Sequence, residues 1–225
     1  MEEYLGHIED AVAFSKDRTE RSSLSLFSQT AETKSAAEES ETSFELAEGE
    51  RERIDQYVKR VDAWDKKTEG YSFVMCNTTS AIADIDMGNG KIGEKQIRID
   101  ASKIKKILNT HPNMTIDTIK ALPYALTDPV LVMQSRSVEG RIVVYGEVYD
   151  TNGVPVQIAM ELNPKARSGK TSYVDIIKVA SAYSKSNTQN FINNSKILYT
   201  DKNKSRLSDW LNLSLIHISE PTRRS

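Results

Sequence analysis

The feature that most constrains the fold is the Asn152-Gly153 pair, which lies between two runs of strand-forming residues. The flanking runs are Arg141–Tyr149 and Val154–Asn163, and Pro155 is tolerated because it stands at the end of its strand. An Asn-Gly pair in this position favours a tight hairpin, since both central residues of such a turn must accept positive φ. The sequence therefore predicts a long antiparallel hairpin within a β-sheet.

Two helical segments and several shorter strand-like runs accompany this hairpin. Asp100 is expected to cap a first helix, which ends at Pro112. Thr115 is expected to begin a second helix, which stops at Pro123. The other predicted strands are Tyr71–Cys76, Gln96–Asp100, Val130–Met133, Tyr173–Tyr183 and Ile197–Tyr199, and further helices are predicted at Thr188–Asn193 and Asn203–Leu211. This order predicts an α+β fold with two N-terminal helices and an antiparallel sheet.

The two ends of the chain differ in composition from the middle. Residues 1–70 are rich in Ser, Thr, Glu, Lys and Ala, which predicts a polar arm that is partly helical or disordered. Apolar residues recur at helical spacing near its end, so we expect an amphipathic helix that packs against the domain: Ile54, Val58, Val61 and Trp64. Residues 71–212 form the predicted α+β domain.

The last residues of the chain, 213–225, are expected not to be native. The segment Leu213-Ser-Leu-Ile-His-Ile-Ser-Glu-Pro-Thr-Arg223 looks like the translated read-through of a transposase adaptor used in sequencing-library preparation. We therefore exclude it, with His217, from the predicted fold and site.

Composition excludes several kinds of site and location. Cys76 is the single cysteine, so an intrachain disulfide is impossible and a thiolate zinc site is not expected. His7, His111 and His217 are too scattered to build a metal site, and we expect neither a metal nor another cofactor. No apolar run approaches the roughly 20 residues of a membrane-spanning helix. The mean hydropathy of -0.50 favours a soluble protein. The N-terminus Met1-Glu2-Glu3-Tyr4 lacks the basic start and apolar centre of a signal peptide, so we expect an intracellular protein with no membrane partner.

The distribution of charge is uneven. Residues 1–70 carry a net charge of about -8, whereas residues 71–212 carry about +5. A mildly basic domain suits a nucleic-acid partner.

Phrases along the middle of the chain together resemble the C-terminal domain of phage MuF-type proteins, a module of large polyvalent proteins in bacteriophages and mobile elements. They are Phe73-Val-Met-Cys-Asn-Thr-Thr79, Ile97-Arg-Ile-Asp100 leading to His111, Ile119-Lys-Ala-Leu-Pro-Tyr-Ala-Leu126 with Asp128-Pro129, the hairpin strands, Val179-Ala-Ser-Ala-Tyr183 and Leu198-Tyr-Thr-Asp-Lys202. The same series is similar to the phage relatives of the barnase, EndoU, colicin E5/D and RelE nucleases.

This resemblance implies a barnase/RelE-like fold and metal-independent RNA cleavage by an effector of a phage or mobile element. The implied partners are RNA, an immunity protein and other phage proteins. The implied location is the cytoplasm of a bacterial host or the virion. The alternative hypotheses are a non-catalytic interaction module of a phage head or delivery protein, and a nucleic-acid binder without cleavage.

Cleavage of RNA without a metal needs a general base, a general acid and cations that stabilise the phosphorane. His111 titrates near neutrality and is the candidate acid or base, although it also suits the C-terminus of its helix, where a cation favours the dipole. Glu147 and Glu161 are the candidate carboxylate bases, on neighbouring strands. The alternative for each is a solvated residue on an exposed sheet face.

The remaining candidates contact the substrate. The resemblance implies that Ser181 and Tyr183 do so, while packing within the sheet is the alternative for both. Arg141 and Lys178 are candidate phosphate-binding cations or ordinary surface charges. Lys165, Arg167 and Lys170 make the connection before the last long strand cationic, which suits an RNA backbone or a plain hairpin exit.

Overall fold

The computed structural model describes residues 47–88, 90–164, 175–185 and 188–216, which form one seven-stranded sheet with helices on both faces. The strands are β1 (Ser72–Asn77), β2 (Gln96–Asp100), β3 (Leu131–Gln134), β4 (Arg141–Tyr149), β5 (Pro155–Glu161), β6 (Ile176–Ser184) and β7 (Ile197–Thr200). The helices are α1 (Glu48–Asp62), α2 (Ser80–Ala83), α3 (Ala101–Thr110), α4 (Ile116–Thr127), α5 (Thr188–Asn193) and α6 (Lys204–Ile216). The predicted α+β class is confirmed.

The strand order is β1-β2-β6-β5-β4-β3-β7, and every neighbouring pair is antiparallel except β2 and β6. The predicted antiparallel sheet is thus confirmed for five of the six neighbouring pairs, and the pair of β2 and β6 departs from it. A parallel pair needs a crossover connection, and α3, α4 and the strands from β3 to β5 lie between β2 and β6 in the chain. The helices α3 and α4 do not open the fold as predicted, because β1 and β2 precede them and join the same sheet.

The hairpin between β4 and β5 forms as predicted, but its turn is wider than a two-residue turn. Of Asn152 and Gly153, only Gly153 has positive φ, at 75°. The side chain of Asp150 sets this geometry, since it accepts hydrogen bonds from the backbone N–H groups of Asn152 and Val154, both at 2.9 Å. The loop is thus closed around a buried carboxylate, to which Ser184 also donates its hydroxyl at 2.6 Å.

Alternate residues of β4 face two different apolar clusters, which places one layer of helices on each side of the sheet. Ile142, Val144 and Val148 pack with α1, α3 and α4 in the larger cluster. The predicted amphipathic helix is α1, and its buried residues Tyr57 and Val61 join this cluster. On the opposite face, α5 and α6 cover β3, β4 and β7 with Ile192 and Trp210 among their buried residues.

The helix α4 does not stop at Pro123 as predicted but continues to Thr127. Proline has no N–H, so the carbonyl of Ile119, four residues earlier, loses its helical partner. Tyr57 of α1 replaces it, because its hydroxyl donates to the Ile119 oxygen at 3.0 Å. Burial raises the pKa of Tyr57 above its usual value, which keeps the hydroxyl protonated as a donor. A contact from another helix therefore compensates the helix-breaking residue.

We expect Tyr57→Phe to lower the free energy of unfolding by about 1 to 2 kcal/mol, because it leaves the buried Ile119 carbonyl without a donor. Urea unfolding measures this loss. Tyr124→Phe is the matched control, since Tyr124 lies on α4 with 49% of its surface exposed. Equal stability of Tyr57→Phe and the native chain would show that the carbonyl does not need this donor.

Candidate functional site

The sequence-predicted residues of β4, β5 and β6 lie in adjacent cross-strand rows on the face of the sheet that α5 and α6 cover only in part. This placement follows from the strand register and from the alternation of side chains along each strand. We name three rows by their members: the charged row is Arg141, Glu161 and Lys178, the middle row is Val143, Ala159 and Ser181, and the aromatic row is Tyr145, Gln157 and Tyr183.

The charged row places one carboxylate between two cations. Glu161 of β5 is the register partner of both Arg141 and Lys178. The Arg141 Nη2 atom lies 3.7 Å from Glu161 Oε2, which is an ion pair but is longer than a hydrogen bond. Within the described part of the chain, the Nε atom of Arg141 is out of contact with solvent and has no hydrogen-bond partner. Arg141 therefore retains donor capacity on a side chain that is 29% exposed.

The charged row extends to β2. Arg98 is the register partner of Lys178, and Lys178 Nζ lies 3.0 Å from Asp100 Oδ2. Asp100 occupies the N-cap position of α3 as predicted, but its side chain makes no capping bond. The prediction of side-chain capping is wrong because the carboxylate binds the neighbouring lysine instead.

His111 and Tyr183 meet, although 72 positions separate them in the sequence. Their rings are stacked with centroids 4.8 Å apart and planes 10° apart. His111 is the C-cap of α3, and its backbone N–H donates to the Ile107 oxygen at 2.9 Å. The imidazole itself makes no hydrogen bond to any residue in the described ranges, so the side chain is placed by the stack and not by capping.

The stacked pair and the charged row are apart from each other. Gln157 and Glu161 are four residues apart on β5, which corresponds to roughly 13 Å along a strand. A second estimate agrees, because Asp100 and His111 bracket the ten residues of α3, a length of about 15 Å. His111 therefore does not converge with Glu161 and Lys178 on one phosphate position. Ser181 lies in the middle row, between the two groups.

Glu147 belongs to a different group of charges. Its Oε2 atom lies 3.2 Å from Nη2 of Arg206 on α6. The same guanidinium binds Asp128 at 2.7 Å and Asp201 at 2.6 Å. Burial raises the pKa of the Asp128 carboxyl above its usual value, and the opposing effect of Arg206 does not cancel this. The structure therefore gives Glu147 a partner at the base of α6 and places it with neither His111 nor Glu161.

Arg206 is the residue that sequence reasoning missed. Burial disfavours its charge, yet hydrogen bonds to Asp128 and Glu147 raise the pKa of Arg206 above its usual value. The signal was present in two of the resembling phrases, Asp128-Pro129 and Leu198–Lys202, which each contribute one carboxylate to this cluster. Nothing in their spacing indicated that they share an arginine.

Other predicted features fall outside the site or outside the described residues. Lys165, Arg167 and Lys170 lie in the range 165–174, which the structure does not describe. Among the residues that it does describe, no three His, Cys, Asp or Glu side chains are grouped so that they could hold a metal ion. The helices in those same ranges include none with both the length and the apolar character needed to cross a membrane.

Comparison with known proteins gives one match. Residues 103–207 match the family model of the phage MuF-C-terminal domain, over a little less than half of the chain. No curated protein and no solved structure matches. The match supports the resemblance to the MuF C-terminal domain and indicates a phage-associated module. The relation to barnase, RelE and similar nucleases stays a prediction.

Proposed function

We propose that this phage-associated module binds RNA on the partly exposed part of this sheet face, which consists of the charged row together with Ala159, Ser181 and Tyr183. The main observation behind the proposal is that the guanidinium of Arg141 has unused hydrogen-bond donors. A partly exposed guanidinium whose Nε is buried without an acceptor, and whose nearest carboxylate lies 3.7 Å away, is suited to a phosphate that would complete its hydrogen bonds.

The neighbours of Arg141 support an extended anionic ligand. Arg98 and Lys178 lie in line with it across β2 and β6, while Glu161 and Asp100 only partly balance the three cations. A polynucleotide gains affinity from several such contacts to successive phosphates. In the aromatic row Tyr183 is partly exposed and offers a surface for a base, whereas Tyr145 and Gln157 are buried. The basic balance of residues 71–212 is in accord with this surface.

We expect Arg141→Ala to weaken the binding of a single-stranded RNA to the full 225-residue chain by about tenfold, because charge-assisted hydrogen bonds to the phosphate are lost. The logarithmic dependence of affinity on salt should fall in slope by about 0.7 for each lost phosphate contact. Fluorescence anisotropy at several salt concentrations measures both quantities.

Lys59→Ala is the control for this experiment. It also removes one positive charge, but Lys59 is exposed on α1, which packs on the other face of the sheet. An equal effect of both substitutions would reduce the proposal to general electrostatic attraction. If the native chain shows no salt-dependent RNA binding, the proposal is wrong, and a module that contacts other phage proteins is favoured.

Metal-independent RNA cleavage is the second candidate function, and the placement of Glu161 between two cations favours it. A carboxylate there is positioned to take the proton of a 2′-hydroxyl while Arg141 and Lys178 stabilise the negative charge that develops on the phosphoryl oxygens. The 2′-oxygen then bonds to phosphorus, the bond between phosphorus and the 5′-oxygen breaks, and the leaving oxygen takes a proton from a water molecule. His111 is too far from this row to supply that proton in the arrangement described above.

Incubation of end-labelled RNA with the same protein, followed by gel separation, tests this second function. Cleavage should give 2′,3′-cyclic phosphate ends and should fall at least a hundredfold in Glu161→Gln, in line with the usual contribution of a general base of about 10²-fold or more. RNA that is bound but stays intact would restrict the module to binding.

A further inference from the structure

We infer that the stacked rings of His111 and Tyr183 are a platform for one unpaired base, so that the RNA ligand is recognised as a single strand. This inference rests on the proposed RNA-binding function and adds to it the form of the substrate. It also assigns His111 a role in binding, in place of the proton transfer that the sequence suggested.

The geometry of the stack carries the first step. The two ring planes are 10° apart and their centroids are 4.8 Å apart, so one face of the imidazole stacks on the Tyr183 ring. The opposite face of the imidazole is its outer face. His111 is partly exposed, and within the described residues Tyr183 is the one aromatic ring that contacts it. A planar base can continue such a stack on the outer face of the imidazole.

The local chain explains why the ring is held there. Pro112 ends α3 directly after His111, whose φ and ψ of -122° and 92° lie outside the helical region. The His111 side chain therefore points away from α3 and stacks on Tyr183 of β6. Beside Tyr183 on β5, its register partner Gln157 is buried and accepts the Tyr145 hydroxyl at 3.0 Å.

The distance between the platform and the charged row indicates an oligonucleotide. The two lie roughly 13 Å apart along β5. The head of Arg141 stays beside Glu161, at 3.7 Å, and so does not bridge the gap. A single nucleotide cannot place its base on His111 and its own phosphate on Arg141. Successive nucleotides that pass Ser181 in the middle row can reach both.

The platform also discriminates against duplex RNA. A base within a double helix has both of its faces covered by neighbouring bases, and protein side chains read such a helix by its shape and its backbone. Only an unpaired base offers a face to an aromatic ring, and each such contact contributes about 1 to 3 kcal/mol. The sheet face should therefore prefer a single strand over the same sequence in a duplex.

The test measures binding of a 12-nucleotide RNA to the full chain, with the RNA either single-stranded or annealed to its complement. A 2-aminopurine base in the strand reports stacking by a loss of fluorescence. We expect the native protein to bind the single strand at least tenfold more tightly and to quench the 2-aminopurine. His111→Ala should weaken single-strand binding by about tenfold and abolish the quenching.

His111→Phe separates this inference from acid-base catalysis. Phenylalanine keeps a stacking ring but has no titratable group, so binding and quenching should stay within about threefold of the native values, which is less than the loss of one stacking contact would cause. Tyr124→Ala removes an exposed aromatic residue elsewhere and should change nothing.

Three outcomes would overturn the inference. Equal affinity for single-stranded and duplex RNA, unchanged binding by His111→Ala, or a loss in His111→Phe as large as that in His111→Ala would each contradict a base-stacking role, while RNA binding at the charged row remained. Failure of the native chain to bind any RNA removes the proposed function as well as this inference.

Discussion

Replacement of Arg206 by methionine is expected to lower the free energy of unfolding by about 2 to 3 kcal/mol at neutral pH, because three carboxylates lose the cation that they share. Asp201 is only 13% exposed and Asp128 is 33% exposed. Water therefore replaces the lost cation only in part at these two carboxylates. Glu147 is 55% exposed and adds little, since water screens it. The loss should loosen α6 from the strand β4 on which it packs.

The same substitution should make stability strongly dependent on pH. Burial raises the pKa of Asp128 in the folded state, so folding loses stability as the pH rises through that pKa and Asp128 becomes charged. In the native chain Arg206 lowers the pKa of Asp128 and so reduces this loss of stability. Without Arg206 the loss of stability becomes larger. The deficit of Arg206→Met should thus be greatest at pH 7 and should shrink near about pH 4, where carboxyl groups take up protons.

Urea unfolding of both proteins at the two pH values measures these differences. Arg136→Met is the matched control, because Arg136 is exposed in the connection between β3 and β4. Surface substitutions of this kind stay within about 0.5 kcal/mol of the native value. A deficit of Arg206→Met that is the same at both pH values would contradict an electrostatic cause and would point to lost packing alone.

Gly146→Ala is expected to destabilise the fold by about 3 kcal/mol, for a steric reason. A Cβ atom at this position of β4 would lie 2.6 Å from the Cα and 2.7 Å from the Cβ of Ala125 on α4. These are atoms at or next to the backbone, which cannot move aside like the end of a flexible side chain. On the other face, the Gly146 carbonyl accepts the indole N–H of Trp210 at 3.1 Å. A shift of β4 away from α4 therefore disturbs α6 as well, and overpacking of this kind costs about 1 to 3 kcal/mol or more.

The Gly146→Ala effect is measured by urea unfolding, with Gly49→Ala as the control. Gly49 lies in α1 with nothing within 4 Å of an added Cβ, so alanine there should be neutral or stabilising, by up to about 1 kcal/mol. The double variant Gly146→Ala with Ala125→Gly should cost less than the sum of the two single variants, because one of the two close contacts disappears. Additive losses would show that α4 is not the obstacle.

The sequence predicted most of the regular elements because their signals are local. Period-two runs located the strands, including β2 at Gln96–Asp100. Proline and threonine marked the end of α3 and the start of α4, where Thr115 forms a capping box with Thr118. The errors have causes that are distant in the sequence. The stop at Pro123 was wrong because the missing hydrogen bond is replaced by Tyr57, which is 62 positions away along the chain from Ile119.

The candidate site could be predicted by residue type but not by grouping. His111, Tyr183, Glu161 and Arg141 were each chosen for their chemistry, and the structure brings them together as two separate pairs. Glu147 was chosen for the same chemistry as Glu161. It lies with Arg206, because the rest of β4 passes under α6 and carries it there.

The sequence by itself determined most of the strands and helices, and which side chains alternate to one face, because backbone preference and hydrophobic period act over a few residues. The tertiary structure alone decided that β2 lies beside β6, that His111 stacks on Tyr183, and that Arg206 gathers the carboxylates of Asp128, Glu147 and Asp201. Each of these contacts joins residues from distant segments. They are fixed by the packing of a shared core and by the pairing of charges, neither of which leaves a local pattern in the chain.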